Sequence, residues 1–283
     1  MKLTLVEVPY DSGRYAVRLG RGPLHLVASG LLRDLQVEGY DVELVQIRLP
    51  EAFRTEAAEA AALQREIRRA VLGAIACGRR PITLAGNCTP AALGSITAFP
   101  AGTTGVLWFD AHGDFNTPDT SASGFFDGMG LSVVTGSCWS GLASSMERFH
   151  PTPEECVLLL GARDLDAGEI RRLEASRVRH LSVARMRQDR VALVSALTEL
   201  GERVERFYLH LDLDVLDPTA LTANHYAAEA GLHLEELEAA IVAARGIRPL
   251  GAVALTAYDP EADVDDRGPG VAARLIRAAA PLH

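Results

Sequence analysis

The chain has 283 residues, 48% hydrophobic and 23% charged, with 37 acidic against 28 basic side chains and a formal net charge of −9. That composition excludes a disordered, collagen-like or coiled-coil chain, and the acidic balance repels phosphate and so argues against general nucleic-acid binding. Cys77, Cys88, Cys138 and Cys156 form no CxxC pair, Met1–Val8 lacks a signal-peptide pattern, and no apolar run approaches a membrane span, so a reducing, cytoplasmic setting without a membrane is expected.

The first apolar run, Leu3–Val8, reads as a strand, and Tyr10–Gly22 follows as a long loop carrying Arg14, Arg18 and Arg21. Asp41–Ile47 is the second strand. In Glu56–Cys77, Leu63, Ile67, Val71 and Ile75 recur every four residues while Arg65, Glu66, Arg68 and Arg69 fill the other faces, which predicts an amphipathic helix. Strands are predicted at Ile82–Ala85 and Thr104–Phe109, then a loop over Asp110–Asp127, then strands at Val157–Leu160 and Val178–Ser182. A helix over Leu193–Leu200 leads to a strand at Arg206–Leu211 and a loop over Asp214–Gly231. Leu234–Ala244 and Val271–Ala279 are helices on either side of a last strand, Gly251–Leu255. Gly39, Gly78, Gly201 and Gly246 stand where helices stop. The strands are short and little interrupted by polar residues, the pattern of strands buried on both faces. Alternation of strand and helix without linker, composition break or repeat predicts one α/β domain over 1–283 with a parallel sheet covered on both sides. In such sheets, ligands bind beyond the carboxyl ends of the strands.

Two strand ends are acidic. Asp110-Ala-His112-Gly-Asp114-Phe-Asn116 places two carboxylates and an imidazole at i, i+2 and i+4, on one face if the backbone stays extended. His210-Leu-Asp212-Leu-Asp214 repeats the spacing. Asp residues at loop starts commonly cap turns, but two such clusters facing inward need a counter-charge. Oxygen-rich ligation with imidazole suits Mn²⁺, and a metal pair can activate a shared water. A third strand end, Gly86-Asn87-Cys88-Thr89-Pro90, adds Cys88, either a thiolate near the metals or a small buried hydrophobe.

These segments, in this order and over roughly residues 80–260, resemble the arginase–agmatinase (ureohydrolase) family. Cys88 and the Gly113–Pro118 run are similar to the hydroxyarginine-hydrolysing branch of D-cycloserine biosynthesis. The resemblance implies a three-layer α/β/α fold with a mostly parallel eight-stranded sheet, in a homo-oligomer (trimer or hexamer). It implies two Mn²⁺ ions with a bridging hydroxide that attacks the trigonal carbon of a guanidinium or similar group. By the match, Asp110 and Asp212 bridge both ions, Asp114 and Cys88 bind one, and His112 and Asp214 the other. The softer sulfur at Cys88 opens its side to other divalent metals. Asn116 and Ser123 match contacts to a substrate carboxylate, and Asp166 matches a contact to the α-amino group. Asp114 and Asp127 are the catalytic candidates, Asp127 standing where arginases carry a proton-relaying His. His210 faces the same way as Asp212 and either holds a ligating carboxylate from behind or is a core histidine. Ala257 stands where the family has the Glu that grips the guanidinium, leaving Asp127 or Asp259 as substitutes. The expected function is hydrolysis of a linear amidine- or guanidine-type C–N bond in a small amino-acid-like substrate. The alternative is a non-catalytic metabolite-binding or structural member.

Overall fold

The structure is a computed structural model that describes residues 1–50, 53 and 55–282. Eight strands form one sheet: β1 Lys2–Val8, β2 Asp41–Gln46, β3 Arg80–Ala85, β4 Thr104–Phe109, β5 Val157–Leu160, β6 Arg179–Leu181, β7 Arg206–Asp212 and β8 Leu250–Thr256. Their spatial order is β2-β1-β3-β8-β7-β4-β5-β6, and every pairing is parallel. All eight predicted strands are present, each within two residues of its expected ends.

The side-chain period of two divides the sheet between two apolar layers. Leu3 and Leu5 of β1, Leu107 and Phe109 of β4, and Phe207, Leu209 and Leu211 of β7 face one layer. That layer is closed by the helices Arg21–Ala28, Leu31–Val37, Arg190–Gly201, Leu234–Ile247 and Gly268–Ala279. Val6 and Val8, Val106 and Trp108, and Tyr208 face the other, covered by Glu56–Ala76 and Cys88–Ile96. The result is the α/β/α sandwich expected.

Three local expectations are corrected. Asp41–Gln46 is not buried on both faces, because it is the sheet edge and pairs only with β1; its alternating Asp41 and Glu43 discourage pairing with another sheet. Gly39 and Gly78 do follow helices in left-handed conformation, whereas Gly201 and Gly246 lie inside helical ends. The Tyr10–Gly22 loop holds a tight hairpin, Tyr10–Asp11 against Arg14–Tyr15, and a helix begins at Arg21.

β3 and β4 are consecutive in sequence but are separated in the sheet by β8 and β7. The late strands therefore fill the centre and set the ends of β3, β8, β7 and β4 side by side. Register aligns Phe109 with Leu211, and Thr256 with both Asp212 and Ala85. Gly86 seals this end from behind, since a Cβ there would come within 2.3 Å of the Tyr10 carbonyl oxygen. No helix is long and apolar enough to cross a membrane among the described residues.

Candidate metal centre

A pocket of about 210 Å³ opens above these four strand ends, lined by Cys88, Asp110, His112, Asp114, Asp212 and Asp214 among others. The convergence of Asp110, His112 and Asp114 does not come from extended backbone. β4 ends at Phe109, and the chain turns: the His112 amide donates to Asp110 Oδ1 at 2.7 Å, and Asp114 takes a left-handed φ of 49°. The spacing was informative for a different reason from the one it suggests.

Donor atoms of Cys88, Asp110 and Asp114 lie within 4.8 Å of one another, as do those of Asp110, His112 and Asp214. Asp110 belongs to both groups. Its other oxygen receives the indole N–H of Trp108 at 3.0 Å, from the strand interior. At the end of β7, Asp212 Oδ1 accepts the Asp214 amide at 3.0 Å, and Asp214 accepts from the Ala111 amide and from Asn224 Nδ2, both at 3.1 Å. The Cys88 thiol lies 3.2 Å from both Asp212 Oδ2 and Thr256 Oγ1. Asp212 thus joins the site through Cys88.

The electrostatics describe an under-compensated cluster. Burial and then neighbouring carboxylates push Asp110, Asp114 and Asp212 above the usual range. Burial and then Asp212 raise the Cys88 thiol. His112 is the cation present: burial lowers it, but hydrogen bonds to Asp110 and Asp214 reverse that and keep it protonated. Burial likewise opposes ionisation of Asp214, yet His112, Asp212 and Asn224 hold it down at about 2. One imidazolium against four buried aspartates leaves negative charge that divalent cations would neutralise.

Asp127 lines the pocket but is occupied. Its two oxygens accept from the Cys88 and Thr89 amides, each at 2.8 Å, and from Asn87 Nδ2 at 3.0 Å. It caps the helix Cys88–Ile96, not the segment that follows it. Asp259 does not line the pocket; it accepts the Glu261 amide and faces Arg21 at 3.8 Å. Neither carboxylate is a free substitute for the missing Glu. Ala257 lines the pocket with a left-handed φ of 59°, and Asn224 Nδ2 donates to its carbonyl at 2.8 Å. Among the described residues, His210 forms no hydrogen bond or ion pair with a carboxylate. It stacks on Trp108 at 3.8 Å, bonds Tyr208 Oη and Thr256 Oγ1, and burial lowers it to about 3, so it is a neutral core imidazole.

On the outer wall, Asn116 Nδ2 donates to Asp166 Oδ2 at 3.0 Å, and Ser123 Oγ accepts the Phe125 amide. Asn116, Ser123 and Asp166 all line the pocket. Arg18 and Arg21 are spent on Asp11 and Glu261, so the first loop offers them to no anion here. Sequence reasoning missed Glu169, Asn224 and Tyr226, which also line the pocket. Glu169 had a signal, an Asp166-x-x-Glu169 spacing of capping-box type: its carboxylate takes the Phe115 amide at 2.7 Å, and burial raises it to about 7. Asn224 and Tyr226 sit in an irregular loop with no periodic cue.

A sequence model of the Arginase family matches residues 1–280. The arginase of Brevibacillus brevis is 31% identical over 230 residues, covering 76% of each chain; that of Bacillus caldovelox is 29% identical over 233 residues, covering 77% of each. A solved arginase structure from Bacillus caldovelox aligns with TM-score 0.87 at 24% identity, over 100% of this chain and 99% of that one. A formimidoylglutamase structure from Bacillus subtilis aligns with TM-score 0.74 at 16% identity, over 98% and 85%. Both structures share the fold.

Proposed function

This chain belongs to the arginase family, hydrolases of C–N bonds in non-peptide substrates, and we propose that it cleaves a linear amidine-type C–N bond with the help of two divalent ions. The observation that carries this reading is Asp110, shared by two groups of donor atoms inside one pocket. The donor set fits a metal pair, because four buried carboxylates face a single imidazolium. Cys88, Asp110 and Asp114 would hold one ion, with Asp212 adjoining, and Asp110, His112 and Asp214 the other. Two divalent ions held there, Mn²⁺ in this reading, would neutralise the carboxylates and would supply a water activated as a nucleophile near neutral pH.

The chain's own residues supply the rest. Trp108 and the His112 amide fix both oxygens of Asp110, and Asn224 and the Ala111 amide fix Asp214. Asp114 is assigned the proton that water gives up. Asp127 acts by position: it holds the first turn of Cys88–Ile96 so that Cys88 faces Asp212. Asn116, Ser123 and Asp166 bind an amino-acid-like head. Ala257 leaves the far end without a fixed carboxylate, so a buried guanidinium there would lack a partner. The substrate is therefore an amidine-like group other than a plain guanidinium. The 283 residues are read as one domain acting in the cytoplasm, as a homo-oligomer, on a small molecule rather than on nucleic acid or a membrane.

The test is metal analysis of purified protein, together with release of urea, ammonia or formamide from arginine, hydroxyarginine, agmatine, guanidino acids and formimino compounds. Bound metal with turnover of one of these that is not a plain guanidine, lost on chelation and restored by Mn²⁺, is expected. Metal-free protein inert toward all of them after Mn²⁺ loading would favour the non-catalytic alternative.

A further inference from the structure

At the amino ends of β3 and β8, opposite the acidic pocket, lies a second cavity of about 390 Å³. Met1, Arg80, Arg245, Arg248, Leu250 and Pro281 line it, and among the described residues no acidic side chain does. Three arginines gathered without an acid are unexpected in a chain of net charge −9. Their neighbours are paired, Arg79 with Asp41 and Arg206 with Glu205. Among the described residues, no carboxylate lies within ion-pair reach of Arg80, Arg245 or Arg248.

Helix ends account for part of this arrangement, since cations favour helix carboxyl termini. Arg80 Nη1 donates to the Ala279 carbonyl at 2.8 Å, and Arg248 Nε to the carbonyls of Gly201 and Val204 at 2.8 and 3.0 Å. These bonds anchor one edge of each guanidinium and leave the other donors unused. They do not account for Arg245, whose Nε is shielded from water and has no acceptor. Burial and the charge of Arg245 both work against the charge on Arg80, so the pair is held together at a cost. Guanidinium forks match the two oxygens of a phosphate or carboxylate, and an oxyanion would remove both the repulsion and the orphaned donor.

We propose that Arg80, Arg245 and Arg248 form a binding site for a small oxyanion, phosphate or carboxylate, at the end of the sheet remote from the metal centre. Metal-loaded protein is titrated with inorganic phosphate and with acetate by calorimetry, in parallel with R245Q, R80Q, R245K and D110N. Saturable binding is expected to weaken at least tenfold in R245Q and R80Q, less in R245K, and to survive in D110N. Phosphate binding tenfold tighter than acetate identifies a phosphoryl ligand, and the reverse a carboxylate; either supports the site. Circular dichroism and unchanged metal content verify that the arginine variants fold. No saturable binding overturns the proposal, as does binding that R245Q and R80Q leave intact or that D110N alone abolishes, which assigns the anion to the metal centre.

Discussion

Asp110 is the residue on which the two donor groups depend, so D110N should reduce bound metal at both positions, and with it any turnover by at least a hundredfold. Mass-spectrometric metal counting alongside activity checks this, and full metal occupancy in the variant would remove the assignment. Ala257 carries the specificity argument. Its Cβ already stands at a left-handed φ, so lengthening it to Glu adds no new backbone penalty. A257E should raise kcat/KM on arginine or a close guanidino analogue, because a carboxylate there stabilises a cationic group through the reaction. Efficient arginine hydrolysis by the unmodified chain would contradict the reading of the substrate.

The first turn of the helix Glu56–Ala76 lies against Gly13 in the turn of the N-terminal hairpin, with the Glu59 carboxylate beside it. Burial, then Glu56, raises Glu59 to about 7 from 4.5. The folded state therefore holds this proton more tightly than the unfolded chain does. That contribution is fully present below pH 4.5 and is lost as pH rises through about 7. A Gln carries no such penalty. E59Q should be more stable than the parent at pH 8, by about 3 kcal/mol from the size of the shift, with the advantage shrinking toward pH 5. Denaturant midpoints at the two pH values measure it, and an equal difference at both would refute it. The adjoining turn is tight: G86A drives a Cβ into the Tyr10 carbonyl, and a loss of several degrees in Tm with weakened metal binding is expected from that clash.

For the whole molecule, metal and stability should be linked. Four buried aspartates repel one another in the metal-free protein, so stripping the metal with a chelator should lower Tm, and Mn²⁺ should restore it in a concentration-dependent way. A calorimetric scan indifferent to chelator would count against a resident metal. Sedimentation at micromolar concentration tests the homo-oligomer, and a clean monomer would set that part of the proposal aside.

The strands, the main helices and the acidic strand ends were legible in the sequence because each is written in local periodicity or in adjacent residues. Leu63, Ile67, Val71 and Ile75 spell one helix face, and β4 and β7 are apolar runs ending in aspartates. Departures at Cys88, Asp127 and Ala257 were equally visible. What those residues touch was not, since that depends on strand order. Only the insertion of β8 and β7 between β3 and β4 sets Cys88 against Asp212. The same tertiary placement engages Asp127, which stands where arginases carry a proton-relaying His, in capping a helix that begins 39 residues earlier in the chain. It withdrew Asp259 from the pocket and enclosed His210 between Trp108 and Tyr208. Local spacing determines which side chains leave a strand end together; packing between distant strands determines which of them remain free to meet a ligand.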